Sequence, residues 1–322
     1  MMSLTAKLNI QTPSPEQVIS PHWEALQESQ GIQISVKRDD LIHPEISGNK
    51  WRKLKHALVP AIAANTKHII SFGGGFSNHI HALGYCCHQL NIHFTAIIRG
   101  DYSKNPSPML QDLVSWKANI QYVDRNTYQQ RTDPSYLQTL QQQYPNALLI
   151  PEGGSQLQAL KGVAEIVDEL REPYDYIVAP VASGGTLAGL ITALSPCLSS
   201  CLTSGLTKKP KTSACKVLGI GVLKGEGYLE QLVSDLLADS LANNQQTQNW
   251  QINHDYHFGG YAKSSNELKQ FCRDFQQQTQ INIEPVYSGK LFFALRNLIA
   301  KGYFPKGSRI LALHTGGLQG AR

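Results

Sequence analysis

The sequence predicts an α/β protein of two lobes, each built on a mainly parallel twisted sheet flanked by helices. Three observations predict it. Short apolar runs alternate with helix-length amphipathic stretches from residue 34 onward. Glycine-rich segments at residues 73–78, 183–186 and 315–317 each follow an apolar run, where parallel sheets bind ligands. A chain of 322 residues, 41% of them hydrophobic, supplies core enough for two lobes.

In chain order, Ile34–Arg38 reads as a strand and Lys50–Ala64 as a helix. His68–Phe72, Phe94–Ile98, Ile120–Val123 and Ala147–Ile150 are strands, separated by helices at His79–Leu90, Pro108–Ala118 and Tyr136–Tyr144. The helix Leu157–Leu170 leads to the strand Tyr176–Pro180, the helix Thr186–Leu194 and the strand Val217–Val222. Helices near Tyr228–Leu241, at Asn266–Thr279 and at Gly289–Ala300 precede a last strand, Arg309–His314. Residues 11–22, with three prolines, read as an extended surface arm. Residues 195–213 read as a surface insertion and 242–256 as an Asn/Gln-rich stretch that regains order at Trp250. There is no internal repeat.

Composition excludes several classes. Charged residues are 16%, and no stretch is biased enough for disorder. The net charge is +5 and the pI about 8.8, but lysine and arginine are scattered, which argues against nucleic acid as a partner. The same mild balance suits an anionic cofactor and amino-acid carboxylates. The opening residues carry no apolar leader, and no run reaches the length of a membrane span. A cytoplasmic protein is expected, with no membrane partner. The spacing of the six cysteines fits no common zinc pattern, so reduced thiols are expected and no metal.

Four segments carry chemistry. Lys50, in Ser47-Gly48-Asn49-Lys50, stands at a helix N-terminus. The positive end of the helix dipole disfavours an ammonium and favours a free amine able to form a Schiff base. A solvated surface lysine, like Lys53 and Lys55 beside it, is the plainer reading of that segment alone. Gly73-Gly74-Gly75-Phe76-Ser77-Asn78-His79 opens the next helix, and three glycines are more than an N-cap needs. Among the 11 histidines, His79, two residues after Ser77, is the one singled out. Ser183-Gly184-Gly185-Thr186 repeats the geometry as a nest for one phosphate. It has neither the lysine of a nucleotide-binding P-loop nor the Gly-x-Gly-x-x-Gly of a dinucleotide site. Tyr287-Ser288-Gly289-Lys290 offers an aromatic for a planar ring and a hydroxyl for a ring nitrogen. Tyr287 and Ser288 also read simply as a core tyrosine and an N-cap, and Lys290 as a surface or phosphate-side lysine. Thr315 and Tyr261 sit on further glycine-rich turns. An amine for an aldehyde, polar groups for a ring and N–H groups for a phosphate together fit pyridoxal phosphate (PLP).

The ordered set Lys37-Arg38-Asp39-Asp40-Leu41, Gly48-Asn49-Lys50-x-Arg52-Lys53-Leu54, Ser77-Asn78-His79, Pro151-Glu152-Gly153-Gly154-Ser155, Gly184-Gly185-Thr186, Pro285-Val286-Tyr287-Ser288-Gly289-Lys290 and His314-Thr315-Gly316-Gly317 covers nearly the whole chain. It resembles the PLP-dependent family of D-cysteine desulfhydrase and 1-aminocyclopropane-1-carboxylate (ACC) deaminase. The resemblance implies the tryptophan synthase β-subunit type of fold (PLP fold type II). The smaller lobe would be residues 51–155, inserted in a larger lobe of 1–50 and 156–322, with PLP between them. It implies a homodimer acting on a small amino acid. Lys50 would hold PLP covalently, Asn78 would bond the ring hydroxyl, and Ser183, Gly184, Gly185 and Thr186 would hold the phosphate. Tyr287 would lie against the ring, Ser77 would face the substrate carboxylate or a reacting proton, and Tyr261 would be a second substrate-side tyrosine.

Departures from the family pattern refine this. ACC deaminases carry a glutamate at the Ser288 position, beside the ring nitrogen, and tend to be apolar at the Thr315 position. D-cysteine desulfhydrases carry hydroxyls at both, as this chain does. A hydroxyl leaves the ring neutral, which suits β-elimination better than opening a cyclopropane. Phe76 replaces the family's usual glutamine, which makes the expected substrate wall apolar. ACC deamination is the alternative. A rival chemistry reads Ser47-x-x-Lys50, Ser264-x-Asn266 and His314-Thr315-Gly316 as the three motifs of penicillin-recognising serine enzymes, against the parallel strand–helix rhythm. A third reading is a PLP-binding protein without turnover.

Overall fold

The computed structural model describes residues 3–20, 23, 31–195, 215–238 and 249–317. The strands are β1 (Glu16–Val18), β2 (Gln33–Arg38), β3 (His68–Gly74), β4 (His93–Arg99), β5 (Asn119–Val123), β6 (Leu148–Ile150), β7 (Tyr176–Val181), β8 (Lys216–Gly221), β9 (Trp250–Asn253) and β10 (Arg309–His314). The helices are α1 (Leu4–Lys7), α2 (Asn49–Ala63), α3 (Asn78–Gln89), α4 (Pro108–Ser115), α5 (Arg125–Gln129), α6 (Pro134–Gln143), α7 (Leu157–Asp168), α8 (Gly185–Leu194), α9 (Tyr228–Ala238), α10 (Asn266–Thr279) and α11 (Ser288–Ala300).

Two sheets organise the chain. One has the order β1-β2-β10-β7-β8-β9 and the other β5-β4-β3-β6. All pairs are parallel except β1 with β2. The predicted α/β class with parallel sheets is therefore the observed one. β7 (YIVAPV) lies inside the larger sheet with helices on both faces, so every one of its residues is buried. Helix α4 stops at Ser115, earlier than its apolar pattern, because Lys117 turns left-handed at φ 59°.

Of the surface arm expected at residues 11–22, the described residues 11–20 are not free. Glu16–Val18 pairs antiparallel along the edge of β2, and Ile19 is fully buried. Ser14, also buried, donates its hydroxyl to Asp39 at 2.6 Å. Prolines 13 and 15 both precede the strand, where no ladder N–H is lost. Apart from Ser195, the predicted insertion at 195–213 lies outside the described residues, as do residues 242–248.

Helices α2, α7 and α8 meet closely enough to bring their ends together. At Gly162 in α7 an added Cβ would stand 1.9 Å from the Arg52 carbonyl oxygen, so only glycine permits this approach. Buried charges also fix α2. Arg52 donates to both oxygens of Asp39 (2.7 and 2.8 Å) and both of Glu169 (3.0 and 2.8 Å). Lys37 reaches Glu169 at 2.8 Å. The Lys-Arg-Asp-Asp run and Arg52 thus anchor the helix that carries Lys50.

Candidate active site

The turn before Lys50 is built against the turn after β10. Gly48 has φ 64°, and a Cβ there would stand 1.6 Å from the Thr315 carbonyl oxygen. The Asn49 amide donates to that oxygen at 3.1 Å, and the Gly317 amide donates to Ser47 Oγ at 2.7 Å. This seam sets Lys50 in the first turn of α2, facing a cleft. Burial in the cleft lowers its amine from 10.5 to about 8, with Glu152 pulling the other way. Burial, rather than the helix end alone, is thus the main source of the free amine.

Three residues along the same helix, Lys53 is not a surface lysine. It is 2% exposed, and its Nζ lies 3.2 Å from Ser155 Oγ and 3.4 Å from Ser183 Oγ. Burial, and then the neighbouring Lys50, hold its amine well below the usual lysine range. It points at the start of α8, where Gly184 turns at φ 74°. A Cβ on Gly185 would come within 2.7 Å of Ser155 Oγ and 3.2 Å of Lys53 Nζ. Thr186 is fixed by the Asn49 side-chain amide at 2.6 Å. A helix N-terminus, a buried lysine amine and hydroxyls around a glycine floor suit one phosphate. The residues present therefore fit the phosphate of PLP.

Two adjoining compartments meet at Lys50. The inner one is lined by Asn49, Lys50, Lys53, Asn78, Ser183, Gly184, Thr186, Tyr287, Thr315 and Gly316, with apolar residues of the β7–α8 turn. No carboxylate is among these described residues. The outer one is lined by Lys50, Ser77, Asn78, His79, Ser183, Tyr261 and Tyr287, and by the charged residues Arg99, Arg131, Glu152 and Asp235. The structure thus brings Lys50, Ser77, Asn78, Ser183, Gly184, Thr186, Tyr261, Tyr287 and Thr315 together. Gly185 lies just behind the lining.

The tyrosines form a pair, with Tyr287 Oη donating to Tyr261 Oη at 3.1 Å. Burial pushes Tyr287 well above the usual phenol range and raises Tyr261 too, so both are held protonated. His79 is 2% exposed, and its Nε2 lies 2.7 Å from Ser71 Oγ. Ser71 gives its own hydrogen to the Ile150 carbonyl at 2.7 Å, so His79 Nε2 carries the ring proton. His79 Nδ1 is then a buried acceptor without a hydrogen-bond partner among the described residues, on a residue lining the outer compartment.

Three expectations need correction. Ser288 lines neither compartment. Its hydroxyl accepts from the Glu284 amide at 3.0 Å and lies 3.3 Å from Glu284 Oε1. Glu284 also takes the amides of Val286, Tyr287 and Ser288, so the serine serves the helix start rather than a ring nitrogen. Phe76 does not wall the cleft. It is 43% exposed and meets Tyr102 edge-on. Lys290 is neither on the surface nor at the phosphate site. It is fully buried and donates to the carbonyls of Val222, His257 and Gly260 at 2.8–2.9 Å, which ties down the loop before Tyr261.

Sequence reasoning missed Lys53, Arg99, Arg131 and Glu152. Lys53 had a signal, since it stands three residues after Lys50 on one helix face. Glu152 had one too, since it stands in the quoted Pro151-Glu152-Gly153-Gly154-Ser155 stretch, whereas Arg99 and Arg131 lie outside every glycine-rich motif and had none.

The fold and the lysine-centred cleft define a PLP-dependent enzyme, and comparison with known proteins agrees. Residues 18–316 match the family described as pyridoxal-phosphate dependent enzyme, and the chain belongs to it. A putative 1-aminocyclopropane-1-carboxylate deaminase of Pyrococcus abyssi (strain GE5 / Orsay) is 28% identical over 300 residues, covering 90% of this chain and 86% of the relative. The bifunctional, mitochondrial D-cysteine desulfhydrase/1-aminocyclopropane-1-carboxylate deaminase of Arabidopsis thaliana is 29% identical over 313 residues, covering 90% and 73%. A crystal structure of an ACC deaminase homologue superposes with a TM-score of 0.78 at 25% identity, covering 100% of this chain and 97% of the other. The cofactor is PLP. Membership removes the footing of the serine-acylation reading, and Ser47 Oγ is occupied by the Gly317 amide. Among the described residues no helix could cross a membrane and no group of side chains could hold a metal ion.

Proposed function

We propose that this enzyme deaminates a small amino acid by β-elimination, in the manner of a D-cysteine desulfhydrase, giving a keto acid, ammonia and the departing β-substituent. The observation that carries this reading is the absence of a carboxylate among the described residues that line the inner compartment. With Thr315 there and Ser288 turned away, no acidic group keeps a pyridine ring protonated. A neutral ring is a weaker electron sink, which suits loss of a good leaving group better than ring opening.

When bound, PLP supplies the electron sink that stabilises a carbanion at the amino acid's α-carbon. In this reading Lys53 and residues 183–186 hold its phosphate and Asn78 orients its ring. Lys50, released by the incoming substrate, is the base for the α-proton, since its amine is unprotonated at a lower pH than an ordinary lysine. Tyr287 and Tyr261 stay protonated, so they act as donors toward the leaving group rather than as bases. Ser77, at the N-cap of α3, holds the substrate carboxylate. Residues 51–155 act as the smaller lobe, and the working form is a homodimer, as the family resemblance implies.

The test is a screen of D- and L-amino acids and ACC for keto-acid release, with sulfide detection for cysteine. Sulfide and pyruvate from D-cysteine are expected. Turnover of ACC alone would replace this reading with the deaminase one.

A further inference from the structure

Arg99 ends β4 at the carboxyl edge of the smaller sheet, the edge where such sheets receive ligands. It lines the outer compartment together with Lys50, Ser77 and Tyr261. Its guanidinium lies over the face of Tyr128, 5.5 Å from the ring centroid. It also reaches back over Gly74, with Nη2 3.9 Å from where a Cβ there would stand, toward the loop that carries Ser77. Among the described residues its guanidinium has no ion pair and no hydrogen bond.

Arg131 shares the same ring, at 5.0 Å, yet its charge is answered. Its Nε donates to Glu152 Oε2 at 2.6 Å, and the Tyr128 hydroxyl donates to Glu152 Oε1 at 2.7 Å. The remaining acid of the compartment, Asp235, accepts from Gln231 at 2.6 Å. One guanidinium is therefore positioned by an aromatic face and left without a counter-charge. Five N–H donors in a planar fork match a carboxylate or a similar anion.

We infer that Arg99 receives an anionic group at the far end of the substrate side chain, so that the preferred substrate is a β-substituted alanine whose leaving group is charged. This rests on the β-elimination proposed above and names its substrate class. The α-carboxylate has Ser77 and the start of α3, which leaves Arg99 for a second anion. Cysteine alone reaches only one heavy atom past Cβ and leaves most of the outer compartment unfilled. In the reaction the Cα proton is removed and the Cβ–S bond breaks with its electron pair on sulfur. The sulfur takes a proton, and water then releases ammonia and pyruvate from the three-carbon enamine.

The experiment compares S-carboxymethylcysteine with S-methylcysteine, both enantiomers, on the PLP-loaded enzyme and its Arg99→Gln variant. The wild type is expected to favour the carboxymethyl substrate in kcat/KM, and Arg99→Gln to shrink that preference about tenfold, mostly through KM. Equal rates for the two substrates in the wild type would overturn the inference. So would an equal loss on both in the variant, which would give Arg99 to the α-carboxylate. A second arm measures succinate and propionate binding to the loaded enzyme by calorimetry. Tighter succinate binding that Arg99→Gln abolishes supports the anion receptor even if neither amino acid is turned over, in which case the β-elimination reading alone fails. Turnover with no charge preference in either arm leaves that reading standing and ends this one.

Discussion

The inner and outer compartments of the cleft are built on opposite plans. The inner one is closed by contacts between turns at the ends of strands: Gly48 against Thr315, Asn49 against Thr186, Lys53 against Ser155 and Ser183. Among the described residues its lining includes no carboxylate, and its two lysines are held short of full charge by burial. The outer one is walled by charged side chains from separate elements, and one of them, Arg99, is exposed. A compartment closed by short contacts among turns and buried side chains suits a fixed guest, the cofactor. One walled by side chains on several elements can change its guest without disturbing those contacts.

Substitutions inside and outside should then fail differently. The largest effect is expected from Lys50→Ala, which in the proposed mechanism removes both the covalent attachment point and the base. Keto-acid release should fall by about a thousandfold or more, and the bound cofactor's visible absorbance should change. Next comes Arg52→Met beneath the inner compartment. It leaves Asp39, fully buried, without its main partner and should lower stability by about 3–5 kcal/mol, read by thermal or denaturant unfolding. A change below 1 kcal/mol would mean the buried charges do not support the site.

The pH dependence sharpens the same contrast. Burial depresses the Lys50 amine to about 8, so the protonated form is lost earlier than in an ordinary lysine. Capture of PLP by the cofactor-free protein should speed up as pH rises and level off above about 8. A rate still climbing at pH 10 would mean an unshifted lysine. The smallest effect is expected from Phe76→Ala. The side chain is 43% exposed and outside the lining, so stability should move by less than about 0.5 kcal/mol. A large loss of activity would return it to the substrate wall.

What was legible in the sequence follows the same division. The strand–helix rhythm is set by local pattern, and Asn266–Thr279 and Arg309–His314 match their predicted limits. The inner compartment was legible because its chemistry lies in contiguous glycine loops. β1 was not, because three residues between prolines carry too little pattern, and its strand character comes from pairing with β2. Ser288 and Lys290 were misread because adjacency to Tyr287 suggested the ring. Their orientations are fixed by Glu284 and by three distant carbonyls. The outer compartment joins Arg99, Arg131, Glu152 and Asp235 through tertiary structure alone, and no spacing announces it.

The central claim is that Lys50 alone among the buried lysines holds the cofactor. Borohydride reduction of the PLP-loaded protein, followed by peptide mass mapping, tests it directly. The account predicts one phosphopyridoxyl group per chain, on the peptide carrying Lys50 and absent from Lys50→Ala. The same mass on Lys53 or Lys290, or no covalent label at all, would contradict it.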